Sequence, residues 1–119
     1  MAQEFEMRCA AHKEARVVVA GAAVVKGEFD DYADLYGFYL ADGAIGDEMA
    51  MVYQAEKVLV AKTAALAIAA GDKVYFNVTT RLLTKTNTDV LVGTCVAVAA
   101  AADSYALIDF DGREAFLKV

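Results

Sequence analysis

The 119-residue chain has no proline, a single histidine and two cysteines, and its 11 Lys and Arg are outnumbered by 17 Asp and Glu. Each shortage closes off a class of function. Without proline, and with eight scattered glycines, no linker divides the chain, so a single domain with one modest core is expected. A net charge of −6 argues against nucleic acid as a partner, because that affinity comes from Lys and Arg neutralising phosphates. The lone His12 makes a Cys9-x-x-His12 pair, only two of the four donors a structural zinc site needs, so no metal ligand is assigned. A Cys–His nucleophilic pair would depend on that same histidine, in an arm poorly suited to holding catalytic geometry.

Other absences point the same way. A phosphate-binding loop ends in Lys-Ser/Thr after a Gly-rich turn. The nearest echo, Gly71-Asp72-Lys73, places a carboxylate where the anion would sit. No apolar run is long enough to cross a bilayer. The opening "MAQEFEMRCAAHKEAR" lacks the apolar centre of a signal peptide. Cys9 and Cys95, far apart, read as reduced thiols of a protein made in a cytoplasm. The residues therefore assign no catalytic group, no cofactor, no metal and no membrane.

What is present is β-forming. Residues 1–15 show no clear period and read as an extended N-terminal arm, with a single domain over 16–119. "RVVVA" and "AAVVKGEF" are Val runs bounded by Gly, whose continuous apolarity predicts strands buried on both faces. "DDYAD" reads as a polar loop, and "LYGFYL" as an aromatic strand where Gly37 marks a bulge or the close approach of another backbone. Two strands are expected over Met49–Ala55 and Lys57–Ala61, and further ones from "KVYFN", "RLLTKT", "VLVGTCVAVAA", "YALIDF" and "AFLKV". "TAALAIAAGDK" is the one helical signal: Thr63 as cap, Ala and Leu in the middle, Gly71 as stop. The fold expected is mainly β, a small barrel or sandwich with one short α-helix.

The polar clusters have bland readings. Asp30, Asp31 and Asp34 lack the spacing of a calcium loop. Asp109 and Asp111 share one face of a strand and could do acid–base work, but such a pair on the exposed side of a terminal strand is usually just solubilising. Tyr32, Tyr36, Phe38 and Tyr39 lack the interleaved cations of a base-stacking platform, so core or subunit contact is the better account.

Three stretches carry a resemblance. "AIAAGDKVYFN…LTKTNTDVLVGTCVAVAAAADSYALIDFDG" and, upstream, "YGFYLADGAIGDEMAMVYQAEKVLVAK" resemble a family of small tailed-phage capsid decoration (cement) proteins, some labelled RecA/RadA-like recombinases. The third, "EARVVVAGAAVVKGEF", lies against the family's opening strands, and the likeness runs from Ala15 to about Gly112. It departs from the family at Ala61-Lys62, where Pro usually precedes Lys, and in the hairpin "NVTTR", which lacks the usual Gly. The resemblance implies a β-tulip-like body and a homotrimer on the outer capsid surface of the virion. Its partner would be the major capsid protein, and its role to stabilise the mature head against DNA pressure. The recombinase label does not fit, since such an ATPase needs the missing phosphate loop. On this reading Phe5, Met7 and Arg8 are the candidate capsid-binding residues, Phe5 and Met7 alternating with Glu4, Glu6 and Arg8 as a strand added to a capsid subunit's edge would. Tyr36, Phe38 and Tyr39 are the candidate trimer contacts. The rivals are another head or tail accessory role and a metal-dependent or recombination-associated protein using Cys9, His12 and the acidic loop of Asp30, Asp31 and Asp34.

Overall fold

The computed structural model describes residues 5–7, 12–32 and 35–112. Alternating apolar residues from Glu48 to Ala61 form one fourteen-residue strand, and the fold is organised around it. In chain order the strands are β1 (Phe5–Met7), β2 (His12–Val19), β3 (Phe29–Tyr32), β4 (Leu35–Tyr39), β5 (Glu48–Ala61), β6 (Lys73–Asn77), β7 (Leu82–Thr84), β8 (Val90–Cys95) and β9 (Tyr105–Asp111). Their order in the single sheet is β3-β4-β5-β9-β8-β6-β7, with β1 and β2 also paired to β5. Every pairing between strands is antiparallel.

β5 changes partners halfway along. Its first half lies between β2 and β4, and its second half between β1 and β9. The expected break between two strands is a bulge: the ladder to β9 shifts between Ala55 and Val58. There Lys57 adopts φ 56° and its N–H donates to Asp109 Oδ1 at 3.3 Å. The sheet then curls until its far edge meets β5 again. Lys62 bridges to Leu83, and Arg81 donates to the Phe29 carbonyl at 2.7 Å. The expected barrel is thus a half-barrel.

Its concave face is lined by aromatics. Phe5 is fully buried, with its ring 5.2–5.5 Å from those of Phe29, Phe38, Phe76 and Phe110. A smaller cluster lies over the first half of β5: Val18, Ala20, Val24, Tyr39, Met49 and Met51. Gly37 lies where β4 crosses close to β5, as the sequence suggests. A Cβ there would collide with the Met51 side chain and the Val52 carbonyl.

Three expectations are corrected. No helix occurs among the described residues. Within 63–71 the Thr63 N–H donates to the Leu83 carbonyl, and Ile68 and Ala99 exchange backbone hydrogen bonds. Tertiary pairing has overridden alanine's helix propensity. "DDYAD" is not a loop throughout, because Asp30 and Asp31 lie in β3 opposite Gly37 and Tyr36. Nor is the Val run of β2 buried on both faces. Val18 is buried, whereas Val17 and Val19 are 66% and 54% exposed, because β2 packs on one face only.

The helix signal gives way to a turn that recurs four times. Val25–Glu28, Ala44–Asp47, Ala69–Asp72 and Ala100–Asp103 each close by a hydrogen bond from the fourth residue's N–H to the first residue's carbonyl, at 3.0–3.2 Å. In each, the acid's side chain also accepts the first residue's N–H, at 2.8–3.3 Å. Competition of this kind between carboxylate and helix for a backbone N–H favours turns. The residue before each turn forms an isolated bridge, Val24 with Gly43 and Ile68 with Ala99, so the turns come in two facing pairs. Gly27, Gly46 and Gly71 hold the third position at φ 83–91°, as a type II turn requires. The fourth turn does without that conformation and carries Ala102.

Candidate functional site

The residues singled out from the sequence fall in three environments. Phe5 is at the centre of the aromatic core, and its N–H donates to the Gly27 carbonyl at 2.9 Å. Met7 continues β1, its backbone opposite Val58. Arg8 lies outside the described residues, as do Cys9 and Asp34. His12 opens β2 opposite Ala55.

Phe38 and Tyr39 are buried within the chain, on opposite faces of β4. Phe38 joins the phenylalanine cluster and Tyr39 the Val and Met cluster. The Tyr39 hydroxyl donates to Asp30 Oδ2 at 2.7 Å. Burial, and then this carboxylate, push the phenol well above its ordinary value of 10.0. Tyr39 is therefore a neutral hydrogen-bond donor that ties β4 to β3. Tyr36 is only half-buried, stacked on Phe29 at 5.4 Å. The three aromatics thus share one short strand but do not form one surface.

The remaining titratable candidates do not assemble either. Among the described residues no three His, Cys, Asp or Glu side chains come close enough to hold a metal ion. Asp109 holds the β5 bulge, and Asp30 is engaged by Tyr39. Cys95 is a free, buried thiol whose S–H donates to the Ala97 carbonyl at 3.0 Å, and burial raises its pKa. A thiol so placed is a poor nucleophile.

The sequence reading missed the edge of the sheet. β2 pairs with β5 and with no other described strand. Its outward side carries Val17 and Val19, and the adjoining turn exposes Ile45. Tight backbone bonds link the two, since Gly46 donates to Ala20 and Ala20 to Asp47. A strand edge with no described partner, flanked by exposed valines, is suited to contact with another chain. The signal was the Val run itself, which reads equally as a doubly buried strand.

Residues 9–110 match the family model described as phage cement protein. No curated protein matches the chain, and neither does any solved structure.

Proposed function

The chain belongs to the phage cement protein family, structural and non-enzymatic proteins of the virion capsid surface, and on that premise we propose that it binds the major capsid protein as a homotrimer. In this reading it bridges neighbouring shell subunits and opposes the pressure of packaged DNA. Many equivalent sites make the total stabilisation large even where each contact is weak.

The observation that carries the reading past family membership is the apolar β2 edge, with Val17 and Val19 exposed on a strand that has only one described partner. The first fifteen residues are the proposed arm. Phe5 anchors it in the core, and the capsid contact is assigned to Met7 and Arg8 beside it in the sequence. Trimer contacts are assigned to the β4 region, where the half-buried Tyr36 offers its face and the buried Phe38 and Tyr39 hold the strand in place.

Sedimentation of the purified chain, followed by its addition to heads that lack it, tests the proposal. A trimer that binds expanded heads and raises their resistance to heat is expected. A strict monomer would overturn the trimer, and heads of unchanged stability would overturn the reinforcing role.

A further inference from the structure

Lys62 is the one charged residue that is buried among the described residues, at 3% exposure. It follows directly on β5, and its backbone is fixed from two sides. Its N–H donates to the Ser104 carbonyl at 3.0 Å, and the residue bridges to Leu83. The ammonium donates to the carbonyls of Thr63 at 3.3 Å and Ala101 at 3.4 Å, both long for such bonds. No described carboxylate forms an ion pair with it. Lys85, by contrast, is well exposed and pairs with Asp72 at 3.0 Å. Burying a cation is unfavourable unless an opposite charge accompanies it.

The missing partner has a place to come from. Lys62 lines an open pocket of about 640 Å³, whose walls include Ala61, Ala64, Ala65, Ala101 and Tyr105. The alanine methyls leave room for a short aliphatic stem, and although Ser104 and Tyr105 also line the pocket, no described side chain accepts from the ammonium. Asp103 also lines the pocket, but its Oδ2 accepts the Ala100 N–H at 2.9 Å and holds the fourth turn.

We propose that this pocket receives an Asp or Glu side chain of the capsid protein, whose carboxylate pairs with Lys62 while its stem packs on the alanines. The inference rests on the capsid contact proposed above. It makes Lys62 a cationic socket on an otherwise acidic protein, so that one ion pair, shielded from solvent, fixes the register of docking.

Binding of purified variants to heads lacking the protein is the test. Lys62→Met keeps the aliphatic stem and removes the charge. It should melt as a folded protein and bind heads at least about tenfold more weakly. Ala64→Glu offers the ammonium a carboxylate from its own chain and should weaken binding similarly, whereas Ala64→Gln, of equal bulk, should do so far less. If Lys62→Met does not fold, the Ala64 pair decides the matter alone. Head binding unchanged in Lys62→Met and Ala64→Glu overturns the proposal. So does altered sedimentation of Lys62→Met with head binding intact, which would assign the pocket to a second copy. If the unaltered chain does not bind heads, the capsid reading itself falls, a result distinct from either of these.

Discussion

The two halves of β5 are held by different chemistry. Against Val52, Ala55, Val58 and Val60, five of the six phenylalanines in the chain converge, with Phe5 at their centre. Over its first half lie Val, Ala, Met and Tyr39, and the β2 edge beside them exposes Val17 and Val19. Rigid aromatic rings define one packed arrangement, whereas methionines adapt to a range of shapes. The half-barrel therefore has a fixed end, closed by its own N-terminal strand, and an adaptable end that exposes Val17 and Val19.

That contrast can be broken at several points, and truncating Phe5 should have the largest effect. Phe5→Ala empties the position where four rings meet, and should lower stability by about 4 kcal/mol in denaturant unfolding. Deleting residues 1–7, which removes β1 (Phe5–Met7), should destabilise at least as much. Met51→Ala, at the adaptable end, should cost about 2.5 kcal/mol, because neighbouring Met49 can shift into the space. A Met51 effect equal to that of Phe5 would erase the distinction between the ends.

The turns sharpen the picture on a smaller scale. Gly71→Ala forces an L-residue to φ 91° and should cost about 1 kcal/mol, whereas Ala102→Gly, in the turn that needs no such conformation, should cost clearly less. The smallest effect concerns Asp72, whose pKa is lowered first by Lys85 and then by the Ala69 N–H. Because the folded chain favours the ionised form, this contribution is complete above the ordinary carboxylate value of 3.8 and is lost as pH falls below it. Asp72→Asn should therefore melt slightly below the unaltered chain at pH 7, with the gap closing below pH of about 4. A gap independent of pH would mean that the ion pair with Lys85 contributes nothing.

Strands with an unambiguous period were legible in the sequence. β6 occupies Lys73–Asn77, as "KVYFN" suggests, and Gly37 sits where another backbone approaches. The Ala-rich 63–71 segment misled because its helix propensity is local, while the partners that defeat it, Leu83 and Ala99, are distant in sequence. The recurrent turn was hidden for a related reason. Its acid is Glu once and Asp three times, its Gly is once Ala, and its spacing is uneven. The candidate site was less legible still. Whether Phe5 lies in a core or on a partner depends on which rings surround it, and nothing in "EFEMR" records them. Lys62, between Ala61 and Thr63, looks like any surface lysine until its burial and its carbonyl partners are seen.

The central claim is that this half-barrel sits on the outside of a phage head and reinforces it. Cryo-EM of the intact particle tests that directly. The account predicts protruding density at local three-fold positions, into which three copies of the curled sheet fit with the Lys62 pocket turned towards the shell. A shell whose outer surface carries no density beyond the major capsid protein would contradict it.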